Sequence, residues 1–237
     1  MFRKIAIVGT GNVAQWLKQV LTISNFEVIQ ISGRAVHQSL KDADLFIFAL
    51  KDAVYEEVLK KMPFKMNFAV HTAGVLSQDI LKPYSENYGV LYPYQSIACT
   101  KDNNLYANNL QVPVCVEGNT GENGEHLFAF AEQWSEKVFK VNGEQRLSMH
   151  VAAVFASNFT NALYGIAYQI FEQQNIDWEM IFPLLQHTLE KAKQGNPVQL
   201  QTGPAIRGDM ETIQKHLQFI KRNDWQEVYK GMTEFIS

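Results

Sequence analysis

The chain has 237 residues, enough for one large or two modest domains, and 46% of them are hydrophobic, with 15 Phe, 9 Tyr and 4 Trp to fill a core. A formal net charge of −3 leaves no basic footprint for nucleic acid and no polybasic patch for a membrane surface. Cys99 and Cys115 stand without CxxC or other metal-ligand spacing, so they read as small core side chains in a reducing compartment and no metal is expected.

In chain order, residues 5–8 form an apolar run too short for a signal-peptide core, and Gly9 interrupts it. The longest later run, 45–50, falls far below the ~20 residues a membrane-spanning helix needs. A cytoplasmic location is expected. Strand-like runs cover 5–8, 27–31, 45–50, 68–71 and 90–92, and later strands are expected over 112–116 and 138–141. Most of these are continuously apolar, as in a sheet buried on both faces. Helical patterns over 13–21, 54–62 and 122–136 alternate with them. That alternation predicts an α/β fold, a doubly wound and mainly parallel Rossmann sheet. Beyond Gly143 the texture changes. Residues 147–173, 178–194, 210–221 and 225–235 all carry helical periodicity, with no strand between them. The expected division is a dinucleotide-binding domain over 1–143 and a smaller all-helical domain over 144–237, serving substrate binding and dimerisation.

The first strand runs into Gly9-Thr10-Gly11-Asn12-Val13-Ala14, a G-x-G-x-x-A string between strand and helix. Glycine at Gly9 permits a tight turn, glycine at Gly11 lets backbone approach a pyrophosphate, and small Ala14 lets helix and strand pack closely. The helix N-terminus then faces the diphosphate with free N–H groups. Such a string is weak alone; its strand–turn–helix context makes it a dinucleotide signal. The second strand ends in Ile31-Ser32-Gly33-Arg34. An NAD site would place a carboxylate there for the ribose 2′-hydroxyl. A hydroxyl at Ser32 and a guanidinium at Arg34 suit a 2′-phosphate instead, so the expected cofactor is NADP. Leu50 and Lys51, after the third strand, are candidates for adenosine and ribose contacts. His71, Thr72 and Ala73, at the end of the fourth, are candidates beside the nicotinamide; a strand-end histidine satisfied by backbone is the alternative for His71.

Four further strings are unusual: His71-Thr72-Ala73-Gly74, Tyr92-Pro93-Tyr94-Gln95-Ser96, His150 through Phe159 (HVAAVFASNF), and Thr202 through Asp209 (TGPAIRGD). With these the chain resembles, over nearly its whole length, the Rossmann-like NADP-dependent oxidoreductases that carry a C-terminal domain of unknown function. More distantly it is similar to pyrroline-5-carboxylate reductases and to β-hydroxyacid and 6-phosphogluconate dehydrogenases. The resemblance implies a nicotinamide across the carboxyl edge of the sheet, a helical domain closing the substrate side, and a homodimer formed through that domain. It supplies no substrate. One departure stands out: if Asn158 matches the asparagine of the β-hydroxyacid dehydrogenases, their catalytic lysine corresponds to Val154.

On an ideal helix His150, Ser157 and Asn161 fall within about 40° of one another, with Asn158 beside them. His150 is the candidate proton donor, because imidazole titrates near neutrality, and reads equally as a capping residue. Ser157 and Asn158 are candidates for orienting a carbonyl, imine or carboxylate. Asn161 and Arg207 are candidate substrate contacts, Arg207 as a fork for an anionic group or as a dimer contact. Asp209 is expected to cap the helix from Met210. Two functions follow from this pattern. The first is an NADPH-dependent reductase of a small carbonyl or imine compound. The alternative, motivated by the missing lysine, is a catalytically silent NADP-binding sensor or assembly subunit.

Overall fold

The computed structural model describes residues 2–34, 40–98 and 112–237; Cys99 lies outside them. The described chain forms two compact units, Met1–Ser157 and Asn158–Ser237. The first holds seven strands, β1 (Lys4–Val8), β2 (Glu27–Ile31), β3 (Leu45–Phe48), β4 (Ala69–His71), β5 (Tyr88–Pro93), β6 (Val114–Gly118) and β7 (Val138–Lys140). Its helices are α1 (Asn12–Ile23), α2 (Tyr55–Leu59), α3 (Gly121–Ala131) and α4 (Gly143–Ala153).

The strands form one sheet in the order β2-β1-β3-β4-β5-β6-β7. Strands β1 to β5 run parallel, β6 lies antiparallel to β5, and β7 follows β6 in the reversed direction. The expected mainly parallel Rossmann sheet is therefore present. Both of its faces are covered, which explains the unbroken apolar runs. Ile5 and Ile7, with Leu45 and Ile47, point to a core shared with Trp16 and Leu17 of α1 and Phe130 of α3. Ala6 and Val8, with Phe46 and Phe48, point to the other core, against Tyr55, Val58 and Leu59 of α2. All four side chains of β3 are fully buried, each Leu, Ile or Phe contributing about 1.5–3 kcal/mol of transfer free energy. Strand β3 is shorter than the run that predicts it: Ala49 N still donates to Val8 O of β1 at 3.0 Å, but Ala49 and Leu50 already line the cleft described below. Cys115 is buried in β6.

Asn142 opens α4 with a capping box, its side chain accepting from Gln145 N while the Gln145 side chain accepts from Asn142 N. The helical reading of 147–173 is divided in the structure. After α4 come a π-helical segment, Val154–Phe159, and then α5 (Thr160–Gln173). A π segment bonds i to i+5, so the uniform angular step behind the polar stripe of His150, Ser157 and Asn161 does not apply through it.

The second unit contains α5, α6 (Phe182–Lys193), α7 (Met210–Phe219) and α8 (Asn223–Ile236). It has no strand among its described residues, as the periodicity predicts. Trp178 sits amid Tyr168, Phe171 and Phe182 in edge-to-face contacts. Ile213 and Trp225 are buried, with the Arg222 guanidinium 4.6 Å above the indole. Asp209 caps α7 as expected, accepting from Thr212 N and from Thr212 Oγ1. Neither α5 nor α6 contains a buried residue.

Candidate functional site

Strand β1 is flanked by β2 on one side and β3 on the other, so the chain crosses over in opposite directions around its carboxyl end. A crevice opens at that kind of switch point in an open α/β sheet. Here it is a cleft of about 810 Å³.

The turn after β1 shapes one wall. Gly9 N donates to Ile31 O at 2.8 Å, and Gly9 holds φ +143, a conformation that L side chains rarely adopt. A Cβ there would lie 2.1 Å from Ala49 O, so no side chain fits. Gly11 differs. It is the N-cap of α1 at φ −75, and an added Cβ would meet nothing within 4 Å. Its missing side chain is thus open space facing the cleft, the shape a close-approaching phosphate requires. The first turn of α1 has no acidic residue, so its positive end is not neutralised locally. Ala14 is fully buried, and Gln15 donates from Nε2 to Thr10 O at 3.1 Å, bracing the turn.

Beyond this turn the cleft is lined by Ser32, Gly33 and Arg34 after β2, by Glu57 of α2 and by Lys61 just past its end. Arg34 N donates to Ser32 Oγ at 3.3 Å. Lys61 bonds Glu57 at 2.6 Å, and that ammonium, aided by Arg34, holds the Glu57 carboxyl below its ordinary range. No carboxylate follows β2 in residues 32–34. Leu50 and Lys51 line the cleft as expected after β3.

At the other end lie Thr72, Ala73 and Gly74 after β4, Tyr92 at the end of β5, and His150 on α4. Thr72 N is held to Phe48 O at 3.1 Å. His71 does not line the cleft. It is fully buried beneath it, and its Nδ1 accepts from Ala73 N at 3.2 Å. Burial, with the nearby Arg146 cation, lowers its pKa to about 4, so the ring is neutral. Its position is that of a residue shaping the 72–74 backbone.

Arg146, which the sequence reading overlooks, organises this end. It is 2% exposed; one terminal nitrogen donates to the carbonyls of Ala73, Gly74 and Leu76 at 3.0, 3.1 and 2.8 Å. The other terminal nitrogen meets Glu117 Oε2 of β6 at 3.1 Å. One helical turn later, His150 lies on Gly74 so closely that a Cβ there would stand 2.5 Å from the ring's Nδ1. That Nδ1 shares a 3.0 Å hydrogen bond with the Tyr92 hydroxyl. Burial, then Tyr94, raises the Tyr92 phenol above its ordinary value, so it stays protonated. Tyr92 belongs to a string that the sequence singles out, and its place at a strand's carboxyl end was the available signal. Lys61 and Glu57 had none, since i,i+4 ion pairs are common on exposed helices.

Of the expected site residues, Thr10, Gly11, Asn12, Val13, Ser32, Arg34, Leu50, Lys51, Thr72, Ala73 and His150 come together in this cleft. Gly9 does not line it; its backbone holds the turn against Ile31 and Ala49. Ser157 is exposed and does not line it. Asn158, Asn161 and Arg207 belong to the second unit and are solvent-exposed there.

The protein family described as Domain of unknown function (DUF2520) matches residues 112–236. A solved structure from Bacteroides fragilis, provisionally named an NADP oxidoreductase, is 28% identical, with a TM-score of 0.84 over 99% of this chain and 98% of that one. A pyrroline-5-carboxylate reductase from Streptococcus pyogenes is 16% identical, with a TM-score of 0.60 over 98% and 97%. An imine reductase from Myxococcus stipitatus, solved with NAD+, is 13% identical, with a TM-score of 0.61 over 100% and 93%. These last two share the fold. Comparison with curated proteins found no match. Among the described residues no helix is long and apolar enough to cross a membrane.

Proposed function

Because the chain belongs to the DUF2520 family and shares its fold with dinucleotide-dependent reductases, we propose that it is an NADP-dependent oxidoreductase reducing a small carbonyl or imine compound. The observation that carries this reading is a single cleft with three features in sequence. A phosphate-ready turn lies at Gly11, a hydroxyl and guanidinium replace the ribose carboxylate at Ser32 and Arg34, and an imidazole lies at the far end. The backbone N–H groups of residues 10–13 would hold the pyrophosphate, with Leu50 and Lys51 beside the adenosine ribose. Ser32 and Arg34 would hold the 2′-phosphate. The backbone of Thr72 and Ala73, held by His71 and Arg146, would wall the nicotinamide. When bound, the cofactor supplies a hydride; the protein places the acceptor, excludes water and delivers a proton from His150.

The test compares NADPH and NADH binding by calorimetry in the wild type and in Arg34→Ala. Removing one charged hydrogen bond is worth about 1.5–3 kcal/mol, roughly a 10- to 150-fold loss for NADPH, with NADH nearly unchanged. Equal losses would overturn the NADP assignment. If neither coenzyme binds at millimolar concentration, the oxidoreductase reading fails.

We also propose a homodimer through the helical unit. Helices α5 and α6 bury no residue, and Phe182, Leu184 and Leu189 are each at least half exposed, more apolar surface than a solvated helix face carries. Sedimentation at micromolar concentration should give twice the chain mass; a monomer would refute it.

A further inference from the structure

Two nitrogens of His150 have different surroundings. The Cβ, Cγ and Nδ1 side of the ring is pressed on the backbone of Gly74, and Nδ1 meets the Tyr92 hydroxyl at 3.0 Å. Nε2 makes no hydrogen bond to any described residue, and the half-buried side chain lines the cleft. The Tyr92 O–H has no described acceptor other than that Nδ1. We propose that Tyr92 is a positioning residue which donates its phenol to Nδ1 and thereby fixes neutral His150 as the Nε2–H tautomer, a donor aimed at a substrate lone pair. The inference rests on the reading of the cleft as a reductase site.

It also narrows the substrate. An Nε2–H donor needs an acceptor lone pair, which a carbonyl oxygen or a neutral imine nitrogen has and an iminium nitrogen lacks. Charge agrees with this. The carboxylates lining the cleft, Asp52 and Glu57, lie on the 52–61 segment beyond β3, while the ion buried behind the 73–76 loop is the Arg146 cation. The Glu117 carboxylate at that end is already paired with Arg146, so among the described residues a cationic iminium would find no unpaired counter-ion lining the cleft there; a neutral carbonyl needs none. The proton balance closes as follows. As hydride reaches the carbonyl carbon, the C=O electron pair moves to oxygen, and oxygen takes the Nε2 proton. Nδ1 then takes the phenol proton; Nε2 recovers a proton from water in the open cleft, and Nδ1 returns its own to the Tyr92 phenolate, which restores the Nε2–H tautomer. An alkoxide is a far stronger base than a phenolate, so the relay runs downhill, and the product is an alcohol.

Long-range ¹H–¹⁵N spectra of the uniformly labelled full chain, at alkaline pH and without cofactor, test this directly. His150→Gln identifies the His150 signals by their loss. The expected wild-type pattern is a single neutral tautomer, with Nδ1 a hydrogen-bonded acceptor and Nε2 protonated. In Tyr92→Phe the Nδ1 signal should lose its hydrogen-bond shift and the two tautomers should exchange. A wild-type Nδ1–H tautomer would overturn the proposal, as would an unchanged tautomer in folded Tyr92→Phe. The wild-type spectrum is decisive by itself should the variant not fold. Because no cofactor is present, this outcome is separate from whether NADPH binds.

Discussion

Replacing Gly11 by Ala separates ligand binding from folding, because the two glycines of the turn meet different surroundings. At Gly11 the backbone, φ −75 and ψ −179, is open to any L residue, and the new methyl touches nothing within 4 Å. The only folding cost is a poorer N-cap, about 1 kcal/mol, or roughly 2–4 °C of Tm for a chain this long. That methyl would occupy the space into which a diphosphate must come. Losing one charged hydrogen bond from the turn costs about 1.5–3 kcal/mol, which is a roughly 10- to 150-fold rise in the Kd for NADPH. Gly9→Ala should behave oppositely. Its Cβ would lie 2.1 Å from Ala49 O, and φ +143 is strained for alanine. Overpacking at about 1–3 kcal/mol adds to backbone strain of about 1–3 kcal/mol. Thermal melts and NADPH calorimetry on both variants, side by side, check the pair. A folded Gly11→Ala with wild-type affinity would refute the placement of the diphosphate, and a Gly9→Ala as stable as wild type would refute the packing argument.

Arg146→Met should lower stability by about 3–5 kcal/mol, since it strands a partly buried carboxylate and three carbonyls. That corresponds to roughly 6–20 °C of Tm. Adding Glu117→Leu should recover part of the loss, and a double variant no better than the single one would contradict the pairing. For His71 the folded pKa, about 4, lies below the ordinary 6.5. The unfolded chain therefore binds more protons between those values, and stability falls as pH drops from 6.5 to 4, by about 3 kcal/mol at most. Urea midpoints against pH should show that slope in the wild type and a shallower one in His71→Gln; parallel curves would rule it out.

Much of this architecture was legible because burial on both faces leaves a run such as 45–48 without a polar residue. The turn at Gly9 and the cap at Asp209 were legible because each answers a local steric or hydrogen-bonding need. His71 illustrates a half-legible residue. Its place at a strand end is where ligands bind, yet side chains alternate along β4, so His71 shares the face of Ala69 and turns toward Tyr55. The pairs Arg146–Glu117 and Tyr92–His150 join positions 29 and 58 residues apart. No periodicity links such partners; only the sheet order brings them together. The π segment was hidden for another reason, since an i to i+5 turn changes no residue's polarity.

The reversal of β6 and β7 has a mechanical result. Had those strands followed the direction of the first five, the chain would leave β7 beside the cleft, and the next helix would carry its residues away. Instead it leaves at the far rim, close to Glu117, where Gly143 begins α4. The helix must then climb, anchoring first through a guanidinium and, a turn higher, reaching the cleft with an imidazole. Deleting a single residue between those two rungs would swing the upper one about 100° around the shaft, so the spacing of four is a dimension of the site itself.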